Sequence, residues 1–229
     1  MKFALLVVLV VTAVVLERPA VAAQGQPASL MNDMQVIAQA LGVGCEYCHV
    51  ASRGSGRPEP KKDIARAMIA MTRELNAKVQ AATGKPEAET TRVRCMTCHR
   101  GVTIPKPLSE IVAETVRGKG GAAAVSQYRE LRDRYYGSAA YDFSDDELVA
   151  VAQRLAATRP DDAIALLQMN IEFHPRSAQS YMALAYAHTR QLNDAAAIVD
   201  LEKALEIEPE NGAARGQLEQ LKSYQRRRR

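Results

Sequence analysis

The four cysteines of this 229-residue chain sit in two matching pairs, Cys45-Glu46-Tyr47-Cys48-His49 and Cys95-Met96-Thr97-Cys98-His99. Two thiols separated by two residues stand one helical turn apart, a spacing at which both reach the vinyl groups of one porphyrin. The histidine after each pair then projects its imidazole over the iron as the proximal ligand. C-x-x-C-H is the attachment signature of c-type haem, so the repetition predicts two covalently bound haem c groups. Cys45 and Cys48 would hold one with His49, and Cys95 and Cys98 the other with His99. Three other chemistries use paired cysteines. One zinc could take all four thiols, but the identically placed histidines would then be coincidence. A redox dithiol belongs with a βαβ pattern, which does not surround these pairs. Structural disulfides rarely use a two-residue spacing, which is that of redox-active pairs.

A six-coordinate iron needs a second axial ligand, and methionine is the usual one when the potential is to be high. Met34 lies 11 residues before Cys45, with Met31 one turn earlier. Met71 and Met68 lie 24 and 27 residues before Cys95. Methionine at helical spacing is more often core filler, but here two irons need partners and a pair of methionines precedes each motif. Met34 and Met71 are therefore the expected distal ligands, with Met31 and Met68 as alternatives. The other two histidines, His174 and His188, read as structural.

The elements that must position these residues are helical. Ser29 can cap a helix with Leu30, Met34, Ile37 and Leu41 on its apolar face, ended by Gly42. Residues 51–60 read as a loop. A second helix is expected from about Lys61 to Ala82, with Ile64, Met68, Met71, Leu75 and Val79 on one stripe. A short helix, Ser109 to Arg117, follows the second motif, and Gly118 to Gly121 reads as a domain boundary. Beyond it, Ser144-Asp145-Asp146-Glu147 has the pattern of a capping box. A shift of 34 residues superposes Ala163 on Ala197, Leu167 on Leu201, Ile171 on Leu205 and Pro175 on Pro209. That period is the period of the tetratricopeptide repeat. Tyr181, Leu184, Ala185, His188, Ala197, Leu201, Ala204 and Pro209 fill its packing and breaker positions, while the earlier copy has Glu147 opposite Tyr181. Residues from about Gly212 to Tyr224 read as a capping helix. The segment 122–225 also resembles a helical tail appended to varied exported bacterial proteins, which implies an accessory module.

The fold expected is therefore all-α: a small two-haem module followed by tetratricopeptide-like repeats. The division is a signal peptide over 1–23, the haem domain over 24–119, a helical linker over 120–143, repeats over 144–225 and a basic tail over 226–229. The signal peptide rests on Lys2, the apolar run Phe3 to Leu16 and the small residues Ala20 to Ala23. The run is short for a membrane span, although an uncleaved anchor is the alternative. Either way the chain is expected to work outside the cytoplasm, periplasmic or exported.

Composition agrees with this division. Hydrophobic residues are 47% but aromatics only 5%, so the apolar fraction is mostly Ala, Val and Leu and favours helices. The net charge of +4 equals that of the tail Arg226 to Arg229, so no basic nucleic-acid-binding body is indicated. Residues 24–119 carry +5 and residues 120–225 carry −6, a basic module joined to an acidic one. Haem propionates would offset part of the basic excess, which predicts Arg and Lys near the haems.

Met34 followed by Leu41-Gly42-Val43-Gly44 and the first motif resembles the haem segment of the photosynthetic reaction centre cytochrome c subunit family. Ala65-Arg66-Ala67-Met68-Ile69-Ala70-Met71-Thr72-Arg73-Glu74-Leu75-Asn76 and Val93-Arg94 with the second motif, Arg100 and Gly101 continue the likeness, over about residues 29–107. Best-known members carry four haems in two related halves, with most distal methionines on the helix before each attachment site. They pass electrons to the oxidised pigment of the reaction centre. This sequence holds one half and adds a repeat tail. The last haem of the four-haem members takes a histidine from the half missing here, so the second iron is left with Met71 first, Met68 next and an open site third.

The function expected is an electron carrier and not an enzyme, serving redox partner proteins, a membrane electron-transfer complex among them, photosynthetic or respiratory. The repeats would dock a partner or a second copy of the chain. The alternatives are a haem enzyme or gas sensor with one open iron site, and an assembly scaffold built on the repeats.

Overall fold

The computed structural model describes residues 27–49 and 60–228, and side chains from Leu30 to Arg227 within them. The segment read as a signal peptide, residues 51–59 of the expected loop and Arg229 lie outside the described residues. Ten α-helices and no strand are present among the described residues, so the all-α expectation is met.

α1 runs Pro27–Leu41, starting two residues before Ser29. Gly42, at φ +65°, ends it. Its N–H donates to the Gln39 carbonyl at 3.2 Å and that of Val43 to the Ala38 carbonyl at 3.0 Å, the paired bonds of a Schellman motif. α2 runs Pro60–Thr83 and α3 is the short turn Cys95–His99. The stripe Ile64, Met71 and Leu75 of α2 is exposed, at 62%, 42% and 37%. Between residues 27 and 107, Ala40 and Val102 are the buried apolar side chains among the described residues.

From Leu108 onward the chain builds its own core. α4 (Leu108–Lys119) and α5 (Gly121–Tyr135) form a hairpin, followed by α6 (Asp145–Ala156), α7 (Pro160–Phe173), α8 (Ala178–Arg190), α9 (Asp194–Ile207) and α10 (Gly212–Arg228). α7 and α9 begin 34 residues apart, as do α8 and α10. Of the superposed positions, Ala163, Ala197, Leu167 and Leu201 are buried, Ile171 and Leu205 half-buried, and Pro175 and Pro209 exposed. Three clusters follow one another along the stack. Leu108, Val112, Val116, Tyr128, Leu148 and Leu166 share the first, across α4 to α7. Val149, Ala152, Leu167 and Leu184 join α6, α7 and α8, and Ala185, Leu201, Ala204 and Ala214 join α8, α9 and α10.

The glycine run read as a boundary forms the corner between α4 and α5, within this packed body. Gly120 has φ +88°, and the Gly121 N–H donates to Asp162 Oδ1 at 2.6 Å. A Cβ on Gly121 would stand 2.9 Å from the Asp162 Cα, so backbone approach requires glycine there. Arg159 Nη1 completes the corner by donating to the Val116 carbonyl at 2.7 Å.

Ser144 is the N-cap of α6, but its side chain makes no capping bond. Its N–H instead donates to Asp142 Oδ1 at 2.8 Å. Glu147, the other half of the expected box, accepts from the Ser109 N–H at 3.3 Å. Its carboxylate thus serves the first turn of α4, whose orphan N–H groups it faces across the interface.

Candidate functional site

The Schellman turn that ends α1 feeds directly into the first motif. Cys45–Tyr47 form a 3-10 turn, with the Cys48 and His49 N–H groups donating to the Cys45 carbonyl at 3.3 and 2.9 Å. The second motif is a full α-helical turn, Cys95–His99. Thr97 closes it: its Oγ1 accepts from the Arg94 N–H at 3.0 Å while its own N–H donates to the Arg94 carbonyl at 2.9 Å. Both pairs therefore have the one-turn geometry that the spacing implies, by slightly different helices.

One backbone contact joins the two motifs. The Gly101 N–H donates to the Ala40 carbonyl at 2.9 Å, and Ala40 is fully buried. A Cβ on Gly42 would collide with the Gly101 carbonyl oxygen. Glycine at 42 thus answers two demands, positive φ and contact with another stretch of backbone. Cys45 begins three residues after this contact and His99 ends two residues before it. At no more than about 3.6 Å per residue, both attachment turns are held close to one point.

α2 connects to both. Lys61 Nζ, at its start, sits 3.6 Å from the centroid of the Tyr47 ring inside the first motif. Asn76, four turns along, bonds the Val93 backbone two residues ahead of Cys95: Oδ1 accepts from the Val93 N–H at 2.7 Å and Nδ2 donates to its carbonyl at 2.9 Å. The methionines fall on α1 and α2 as the spacing predicts. Met34 and Met68 are half-buried, whereas Met31 and Met71 are exposed.

The side chains suit a haem. All four thiols are free of disulfides, with Cys48 and Cys95 half-buried and Cys45 and Cys98 exposed. His99 Nδ1 lies 3.0 Å from the Val102 carbonyl oxygen. That carbonyl accepts a hydrogen bond from Nδ1–H, so the Nε2 lone pair is left for a metal, the arrangement that orients ligating imidazoles. Ile64, Met71 and Leu75 leave apolar surface exposed on α2. Among the described residues no three His, Cys, Asp or Glu side chains converge as a metal site, so the single-zinc alternative finds no cluster.

His174 and His188 stand apart in the helical body. His188 Nδ1 is 2.7 Å from Asp200 Oδ2, tying α8 to α9. Burial raises the Asp200 carboxyl above its ordinary range, with the His188 bond opposing it. His174 follows α7, and its Nε2 is buried without a hydrogen-bond partner. Sequence reasoning flagged Gly42 as a helix stop but missed its contact with Gly101, and gave no role to Asn76 or to the Val102 carbonyl. A polar residue beside the apolar stripe of α2 was the available signal for Asn76; nothing local announces the other two.

Comparison with known proteins agrees with this geometry. Cytochrome c-554 of Chloroflexus aurantiacus is 37% identical over 65 residues, which is 28% of this chain and 15% of that protein. The chain thus matches a small part of that relative's length. The profile of the photosynthetic reaction centre cytochrome C subunit family matches residues 24–154, more than half of the chain and beyond the second motif into α6. The chain belongs to the photosynthetic reaction centre cytochrome C subunit family, and covalently bound haem c is the group that membership implies.

Proposed function

We propose that the chain is an exported two-haem electron carrier whose helical body docks a redox partner. The observation that carries the reading is the pair of C-x-x-C-H turns held together by the Gly42–Gly101 contact. When bound, each haem supplies a one-electron ferrous–ferric couple. Cys45 and Cys48 tether one porphyrin and Cys95 and Cys98 the other. His49 and His99 furnish the proximal nitrogens, and the Val102 carbonyl fixes the tautomer of His99. Met34 would hold the first iron from the distal side and Met71 the second, with Met31 and Met68 as alternatives. Filling both positions would exclude exogenous ligands, which suits an electron carrier, whereas a peroxidase or gas sensor needs an open position. Arg92, Arg94 and Arg100 flank the second turn and suit its propionates.

The helix pairs from α6 onward are read as tetratricopeptide-like repeats. α10 closes the stack with a polar outer face, as terminal repeats do. The stack docks a redox protein or a second copy of the chain, and the carrier serves a photosynthetic or a respiratory chain. Membrane association would come from the N-terminal segment, since no described helix is long and apolar enough to cross a membrane.

The test is a reduced spectrum of the purified chain with and without carbon monoxide. A carrier leaves the spectrum unchanged; rapid binding at either iron points to the enzyme or sensor instead.

A further inference from the structure

Asn76 makes three hydrogen bonds with one amide group. Its Nδ2 donates to the Thr72 carbonyl of its own helix and to the Val93 carbonyl, both at 2.9 Å, while Oδ1 accepts from the Val93 N–H at 2.7 Å. Both backbone groups of Val93 are thereby paired to a side chain 17 residues away, as a neighbouring strand would pair them. Two residues later Cys95 begins the second attachment turn, and Arg94 between them is extended at φ −126° and ψ 166°. This clasp sets how far along α2 the second turn sits.

The height matters because α2 carries two methionines. Met71 precedes Asn76 by five residues and Met68 by eight, so at 1.5 Å per residue they stand about 7.5 and about 12 Å from it along the axis. Their separation of about 4.5 Å is less than one helical turn of about 5.4 Å. A slip of one turn would therefore carry one methionine roughly into the place of the other. We propose that Asn76 is a positioning residue that locks α2 against the second attachment turn and so selects Met71 over Met68 for the iron held by His99. The inference rests on the two-haem reading above. In the same turn the Thr72 hydroxyl donates to the Met68 carbonyl at 2.8 Å, so the stretch of α2 between the two methionines and Asn76 is bonded by side chains as well as by its own backbone.

The experiment is a double-mutant comparison on the full chain, with haem content, midpoint potential and carbon monoxide binding as readouts. In the wild-type background, Met71→Ala should make half of the haem reactive to carbon monoxide. Asn76→Ala should retain two haems and shift the potential of one while leaving the other unchanged. In the Asn76→Ala background, Met71→Ala should open well under half of the haem, because Met68 has become available. Asn76→Asp keeps the bond from the Val93 N–H and sets a carboxylate against the two carbonyls, and should shift the same haem. Unchanged potentials in both Asn76 variants overturn the proposal, as do equal shifts of both haems or an undiminished Met71→Ala effect. Failure of both Asn76 variants to retain haem overturns it too, in favour of a purely structural role. A wild-type chain with fewer than two haems brings down the two-haem reading, and this inference with it.

Discussion

Residues 27–107 and residues 108–228 solve the problem of a core in opposite ways. The second stretch buries Leu, Val, Ala and Tyr side chains in three successive clusters shared by consecutive helices. The first, among its described residues, buries Ala40 and Val102 and leaves Ile64, Met71 and Leu75 of α2 exposed. The aromatics divide in the same sense: Tyr47 is alone between residues 27 and 107, while nine lie beyond. Tyr128, Phe143 and Phe173 pack in the body with ring centroids 5.6 and 6.0 Å apart, the sort of bulk the first region does not contain. A short chain with so little buried apolar surface does not offset its conformational entropy alone. In the two-haem reading, thioether-bound porphyrins supply that surface, so haem attachment and folding are one event in the first region and unrelated events in the second.

The largest effect that separates the regions is loss of all four thiols. Replacing Cys45, Cys48, Cys95 and Cys98 by Ser should leave 27–107 open to rapid hydrogen exchange while 108–228 keeps its protection. Equal protection of both would show that the first region has a core of its own. The converse change is Leu166→Ala in the first cluster, where the side chain is fully buried. It should cost about 3 kcal/mol in denaturant unfolding of the body and leave the haem spectrum as it was.

His188→Ala probes a subtler feature of the body. With the imidazole gone, burial acts alone on the Asp200 carboxyl, whose proton affinity is already raised in the folded chain. A carboxyl that binds its proton more tightly when folded contributes most to stability at low pH, and the contribution declines as pH rises above its unfolded value. The variant should therefore lose about 2 kcal/mol at neutral pH, and less as the solution is acidified and Asp200 protonates. A loss independent of pH would mean that packing alone is being measured. The smallest change is Leu192→Gly. Leu192 is 90% exposed and holds φ +60° in the turn between α8 and α9. Glycine should raise stability there by about 1 kcal/mol, read as a higher denaturation midpoint.

Much of this division was legible in the sequence because it is written in local patterns. The C-x-x-C-H spacing, the 34-residue shift and the stop at Gly42 need only near neighbours, and each matches a helix or turn in the structure. Features that depend on distant partners were not readable. Glu147 looked like half of a capping box, yet its carboxylate bonds the Ser109 N–H, 38 residues away. The glycine run 118–121 reads as a domain boundary, and only the structure shows Asp162 lying against Gly121. His188 occupied a slot expected to pack, and only the structure shows Asp200 facing it at 2.7 Å. The Asn76 clasp and the Gly42–Gly101 contact belong to the same class, and they are what place the two attachment turns relative to α2 and to each other.

In the proposed reading, closure of the first region around two covalently held haems underlies the contrast between the two regions. The intact mass of the purified chain after denaturation tests it most directly, because thioether-bound haem survives unfolding. The expected value is the polypeptide mass plus that of two haems, falling to one in Cys95→Ser/Cys98→Ser. A bare polypeptide, or a single haem on the wild-type chain, would contradict it.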